Sequence, residues 1–171
     1  MSQRISPPAS LMNLALAGNA KAQFDLAELY MHSEHDDDII LAEEWALKAA
    51  DNGLVDAMYW LGEGYTGYAK ELEEADPEES KAHFDLGYYW LSKANMQKHP
   101  AATLELAGYY RRGNIIEKDI EKSIKLVIQA AEWGDVQAMR DLAFIYANGL
   151  GTDIDEEKAD FWTNKAESAE K

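Results

Sequence analysis

Four copies of one pattern, A-x-x-x-L-[AG]-x-x-Y, recur along the 171 residues of this chain. They are Ala22, Leu26, Ala27, Tyr30; Ala57, Leu61, Gly62, Tyr65; Ala102, Leu106, Ala107, Tyr110; and Ala138, Leu142, Ala143, Tyr146. Offsets of zero, four, five and eight place all four residues on one side of an α-helix. The small residue after each Leu leaves room for a second helix to approach, and Tyr adds a flat body with a polar tip. A second pattern follows each copy. It reads Ala42, Trp45, Ala49, Ala50, Gly53, then a degenerate Gly87, Trp90, Ala94, Asn95, then Ser123, Leu126, Ala130, Ala131, Gly134, then Ala159, Trp162, Ala166. From Ala49, Ala94 or Ala130 to the next opening Ala is eight residues each time. A register held at three junctions is the mark of a repeat array.

Gly53 and Gly134 stand where a left-handed residue would end a helix. Eight residues before Ala22 is Leu14, and Gly18 then falls on that same end position. Residues about 8–17 therefore predict a lone helix capping the stack, as terminal units of arrays are atypical. The expectation is an all-α chain of four helix–turn–helix repeats, at about 20–53, 55–98, 100–134 and 136–169, in a single domain spanning 1–171. No stretch alternates with period two, so no sheet is expected.

The Tyr positions are spaced by 35, 45 and 36 residues, which marks an insertion in repeat two between Tyr65 and Trp90. Within it, Asp76-Pro77-Glu78-Glu79 has the capping Asp, first-turn Pro and early acids of a helix start. The reading is a long second helix from about Pro77 to Gln97. Residues 66–75 would form a protruding acidic connection before it, the insertion lying within 66–79.

These residues resemble the Sel-one-like repeat family, short relatives of the tetratricopeptide repeats. The fourth unit matches most fully. Its Tyr146, Gly149, Gly151, Asp155, Lys158, Ala159, Trp162 and Lys165-Ala166 follow the family's G-x-G, D-x-x-K-A and W-x-x-K-A strings. The third keeps Gly113, Asp119 and Lys122 but has Ile115 and Ser123 where the family has Gly and Ala, and the first replaces the glycine loop with His32-Ser33-Glu34-His35. The resemblance covers about residues 8–169. It implies a right-handed α/α solenoid whose first helices line a concave groove for protein ligands. It further implies roles as adaptors in signalling and quality control or, in bacteria, as immunity proteins against injected toxins. Some secreted members are Cys-rich and linked to β-lactam binding, a branch that a chain without Cys does not match.

Charge narrows the partner. Formal net charge is −16, from 32 acids and 16 bases. Phosphate backbones and anionic membranes both call for Lys and Arg, so neither nucleic acid nor membrane is expected as a partner. With 18 aromatic residues and 47% hydrophobic content, the chain is too apolar for a disordered acidic tail. Residues 31–80 hold fifteen acids against Lys48 and Lys70, or −13 of the −16. Eight of the 18 aromatics crowd into residues 59–90, overlapping this stretch, among them Tyr59, Trp60 and Tyr68. Positions two, six and nine after each opening Ala form a stripe away from the packed face. The stripe reads Phe24, Glu28, Met31; Tyr59, Glu63, Thr66; Leu104, Gly108, Arg111; Arg140, Phe144, Ala147.

The expected partner-binding set is therefore Phe24, Glu28, Tyr59, Trp60, Glu63, Thr66, Tyr68, Glu71, Glu73, Glu74, Leu104, Arg111, Arg140 and Phe144. Its N-terminal half would be acidic and aromatic, and its C-terminal half would carry the arginines Arg111, Arg112 and Arg140. Acids beside Tyr and Trp suit a basic, partly apolar protein. The foremost reading is an immunity protein that neutralises a toxin with a basic, nuclease-type surface. A scaffold or adaptor that assembles a complex or binds peptides is the alternative.

A metal-dependent enzyme is the third reading, with His32-Ser33-Glu34-His35-Asp36-Asp37-Asp38 as its ligand-rich loop. The same acids serve equally as a helix cap and dipole partners. Gly149-Leu150-Gly151 follows a helix and lacks a P-loop Lys, so it reads as a turn. No catalytic constellation can be named, so no enzyme activity, catalytic residue, cofactor or metal is assigned. Arg4 and the run Leu11–Ala17 loosely imitate a signal peptide, but Asn13 and Pro7-Pro8 interrupt it. A cytoplasmic monomer is expected.

Overall fold

A computed structural model describes residues 6–170, apart from Asp36 and Asn114. Arg4 of the signal-like stretch and Asp36 of the ligand-rich loop thus lie outside the described residues. Among the described residues the chain forms α1 (Ala9–Leu16), α2 (Ala20–Met31), α3 (Asp38–Asp51), α4 (Val55–Leu72), α5 (Pro77–Met96), α6 (Pro100–Arg112), α7 (Ile120–Glu132), α8 (Val136–Asn148) and α9 (Glu156–Ala169). After the α1 cap, the helices pair as α2/α3, α4/α5, α6/α7 and α8/α9, each hairpin stacked on the next. It is an all-α repeat solenoid.

The junction residues explain the eight-residue step. Ala49, Ala57, Ala94, Ala102, Ala130 and Ala138 are all fully buried where one hairpin meets the next. A methyl group fits there and a larger side chain would push the helices apart. Among the described residues α1 has no first helix paired with it, and the equivalent Leu14 is 54% exposed. The hairpin ends share one geometry. Gly53 and Gly134 take φ of 89° and 100°, with their N–H groups bonding to Ala50 O and Ala131 O. In repeat two this place falls to Lys98, at φ 62°, whose N–H bonds to Asn95 O.

The family strings also acquire a physical meaning. Asp119 and Asp155 cap α7 and α9 by accepting from the backbone N–H of Lys122 and Lys158. Those lysines lie over the rings of Tyr110 and Tyr146, at 4.1 and 5.0 Å, so Asp, Lys and Tyr tie each connection to its first helix. The Lys after each Trp behaves alike: Lys48, Lys93 and Lys165 sit 4.1, 4.7 and 4.7 Å over Trp45, Trp90 and Trp162. Each ammonium lies over an indole face, a cation–π contact.

The insertion departs from expectation. Residues 66–72 continue α4 as helix, so the insertion lengthens both members of the hairpin instead of forming an acidic loop. Only a short turn separates Leu72 from Pro77. The cause is packing on the inner face of the extension, where Thr66, Ala69 and Ser80 are buried and Ser80 Oγ donates to Ala69 O at 2.8 Å.

Candidate functional site

The stripe divides into three environments. The first is core. Phe24 is buried under the edge of Trp60, with ring centroids 6.4 Å apart. Thr66 is buried as well, its Oγ1 donating to Gly62 O at 2.7 Å and lying 2.7 Å from the Tyr109 hydroxyl. Tyr109 Oη in turn donates to Phe84 O at 3.1 Å. Gly87 makes this junction possible, because a Cβ there would stand 2.4 Å from Thr66 Oγ1 and 2.6 Å from Tyr109 Oη. Phe24 and Thr66 are therefore corrected from groove residues to core residues. Position nine is exposed in repeats one, three and four (Met31, Arg111, Ala147). It is covered only where α4 runs on against α5 and α6.

The second environment is acidic. Tyr59 stacks on His99 at 4.6 Å, and its hydroxyl donates to Glu63 Oε1 at 3.3 Å. Asp56 lies 3.8 Å from His99 Nε2. Burial and the neighbouring Glu63, with Glu105 and Asp135 also contributing, push the Tyr59 phenol up to about 12. Burial lowers His99 from its ordinary value although Asp56 and Asp135 oppose this, so the ring is held toward its neutral form. Lys21, paired with Asp25, feels Glu28 and Asp56 as well, which brings repeat one to this surface. Glu28 and Glu63 are exposed. Glu71, Glu73 and Glu74 are exposed too, but they cluster at the far end of the lengthened hairpin. Tyr68 packs its ring edge-on to His83 at 4.8 Å, and Trp60 is half-buried against Phe24.

The third environment is a cleft of about 660 Å³ between repeats three and four. Leu104, Arg111 and Phe144 line it, as the stripe requires, with Ile124 and Val127 below and Arg112 beside them. Phe144 is 63% exposed. Arg140 is not among the lining residues and instead pairs with Glu170. Lys70 lines the cleft as well, reaching across from α4. It stands one helical step beyond Tyr59, Glu63 and Thr66 on the same stripe. Only the helical continuation of α4 to Leu72 brings Lys70 onto this stripe.

Among the described residues, no group of three or more His, Cys, Asp or Glu is arranged to hold a metal ion. Asp38 of the ligand-rich loop is buried, with Ser33 Oγ donating to its Oδ2 at 2.6 Å. No described helix is long and apolar enough to cross a membrane.

The Sel1 repeat family model matches residues 20–54, 55–99, 100–135 and 136–169. The chain is 29% identical over 167 residues to the Sel1-repeat-containing protein YjcO of Escherichia coli strain K12, across 95% of this chain and 67% of that protein. It is similar to the crystal structure of a Sel1 repeat protein from Oxalobacter formigenes, with a TM-score of 0.75 and 28% identity, covering 92% of this chain and 61% of that one. It is likewise similar to c5321, a protective antigen present in uropathogenic Escherichia coli strains and displaying an SLR fold, with a TM-score of 0.79 and 28% identity, covering 96% and 33%. The chain thus spans less than two thirds of either solved relative.

Proposed function

Because the chain belongs to the Sel1 repeat family, whose repeats build protein-interaction modules, we propose that it works by holding a basic partner protein against its acidic repeats, and that the partner is a toxin this chain neutralises. The observation that carries the reading is the surface around Tyr59. There an aromatic ring stands among Asp56, Glu63, Glu105 and Asp135, each close enough to bear on Tyr59 or its stacked His99. Aromatic rings beside carboxylates favour Lys- and Arg-rich surfaces through both cation–π contact and charge. A nuclease active site is such a surface, because it must attract phosphates. With −13 of the charge in residues 31–80, encounter with a cationic partner is steered. Steering of this kind raises association rates by roughly 10–1000-fold at low salt.

Capture on the immobilised chain from its native host, followed by mass spectrometry, identifies the partner. Lysines replacing Glu63, Glu71 and Glu74 then slow association and flatten its salt dependence. An unchanged on-rate and salt slope, or a captured partner without a basic surface, would overturn the proposal. Toxicity that co-expression fails to relieve would remove the immunity role and keep the binding role.

One observation favours the alternative of an adaptor. The two ends of the groove differ chemically, acidic around Tyr59 and apolar with arginines around Phe144. An adaptor joining two partners would use both ends at once, and capture would then recover two proteins.

A further inference from the structure

The cleft between repeats three and four has a chemistry that the acidic surface does not share. Lys70 sits in the last turn of α4, and Arg111 and Arg112 sit in the last turn of α6. Among the described residues none of the three is ion-paired, although Asp and Glu outnumber Lys and Arg two to one in the chain. Two carboxylates also line the cleft, and neither neutralises these cations. Asp141 accepts from Gln137 Nε2 at 2.8 Å. Glu105 stands six residues before Arg111, about 9 Å along the helix. Neither acid forms an ion pair with Lys70, Arg111 or Arg112.

Cations at helix C-termini complement the macrodipole, and that accounts for their place in the sequence. It does not account for Arg112 lying flat on the cleft wall. Its guanidinium rests on Gly108, where a Cβ would meet Nη1 at 3.3 Å, and it stands 5.6 Å from the Tyr109 ring centroid. A fork held in this way presents its N–H donors ready for a carboxylate. The apolar floor lies alongside, with Ile124, Val127 and the exposed ring of Phe144. Exposed aromatic and arginine side chains at a concave apolar site have the composition of a binding hot spot.

We propose that this cleft binds an extended segment of a partner protein in which an acidic side chain stands next to an apolar one. The carboxylate meets Arg111, Arg112 and Lys70, and the apolar side chain settles on Phe144, Ile124 and Val127. Charge complementarity selects this occupant. The lining carries three cations against two acids, whereas residues 31–80 hold −13 of the chain's −16, so an acidic segment is repelled by the acidic repeats and favoured at this cleft. The inference shares with the proposed function only the premise that the groove binds protein.

The intact chain is applied to an array of short randomised peptides. Retained sequences are expected to place Asp or Glu beside Leu, Ile or Phe. Binding of the retained peptides should weaken about tenfold or more in Arg111→Glu/Arg112→Glu, as loss of charge-assisted pairing requires. It should weaken in Phe144→Ser and stay unchanged in Glu63→Lys. These side chains are exposed, and circular dichroism and thermal melting of each variant report that the fold is kept. Retention of basic or purely apolar peptides overturns the proposal, as does no retention at all. Binding indifferent to Arg111→Glu/Arg112→Glu overturns it too, and so does calorimetric binding of inorganic phosphate that this variant abolishes, which would make the site a phosphate site. The Glu63→Lys arm separates the two ideas, because it alters partner association through the acidic surface and leaves peptide binding here intact.

Discussion

Replacing Lys98 by Gly should stabilise the protein. Lys98 is the one described non-glycine residue with a positive φ, 62°. It ends α5 with the bonds that Gly53 and Gly134 make at the ends of α3 and α7: Lys98 N–H donates to Asn95 O at 2.8 Å and His99 N–H to Ala94 O at 3.1 Å. A residue with a Cβ loses about 1–2 kcal/mol in the left-handed region, where Cβ crowds the following carbonyl. Glycine escapes that loss but gives back about 0.5–1 kcal/mol through its greater freedom in the unfolded chain. The difference leaves Lys98→Gly more stable by about 0.5–1 kcal/mol. For a chain of this size that amounts to roughly 2–3 °C in Tm. The reciprocal variants isolate the cause. A Cβ at Gly53 or Gly134 meets nothing within 4 Å, so Gly53→Ala and Gly134→Ala test backbone strain alone. Each should lose about the same amount. Urea unfolding measures all three, with shifted midpoints and unchanged slopes. Neutral glycine-to-alanine variants together with a destabilised Lys98→Gly would refute the argument, because the strain would then not reside in the backbone.

Three further outcomes follow from the buried junction of α4, α5 and α6. Thr66→Val removes the hydroxyl between Gly62 O and Tyr109 Oη, and should lower stability by about 1 kcal/mol while leaving partner affinity unchanged; a lost affinity at unchanged stability would return Thr66 to the groove. Gly87→Ala drives a methyl into two hydroxyl oxygens, and should cost about 1–3 kcal/mol in chemical unfolding. Burial pushes the Tyr109 phenol up to about 12, so the folded state keeps its proton after the unfolded chain has released it. Stability from this group is whole below pH 10 and declines as pH rises from 10 through 12, by about 2–3 kcal/mol. Tyr109→Phe should lose that part of the alkaline decline, as read from midpoints across the pH series.

The fold was legible because its determinants are local and periodic. The buried Ala pairs, the capping Asp119 and Asp155 and the glycine ends each announce themselves within a few residues. The errors arose where a distant element overrides a local pattern. Residues 66–72 carry Gly67 and a run of charge that resemble a loop, yet pairing along α5 keeps them helical. Phe24 and Thr66 have the register of surface residues. One is covered by Trp60 and the other by Tyr109, which lies 43 residues away in the chain. Lys70 lies beyond the same pattern, since a stripe that ends at Thr66 does not reach it. Of the site, the separation into an acidic half and an arginine-bearing half could be read from composition and register. The backward fold of Arg112 over Gly108 and the pairing of Arg140 with Glu170 could not, because both depend on rotamers and on the end of α9.

The lengthened hairpin has a consequence for how the array assembles. α4 and α5 have 18 and 20 residues, against 12 to 14 in the other paired helices, so they share a longer seam. In a linear stack, stability is close to a sum of unit terms and nearest-neighbour terms, and folding can start in any unit strong enough to persist alone. Near-equal units would compete to be that start and would fray from both ends alike. One long unit inside the stack removes the competition. Repeat two is the expected seed, because its longer seam is still built from contacts close in sequence. Repeat one and the pair of repeats three and four then add to opposite sides of it. Opening runs the other way, and the two ends can melt independently while the seed holds. The segment that reads in the sequence as an interruption of the repeat thus supplies the longest helix pair among the described residues, and with it the expected starting point for assembly.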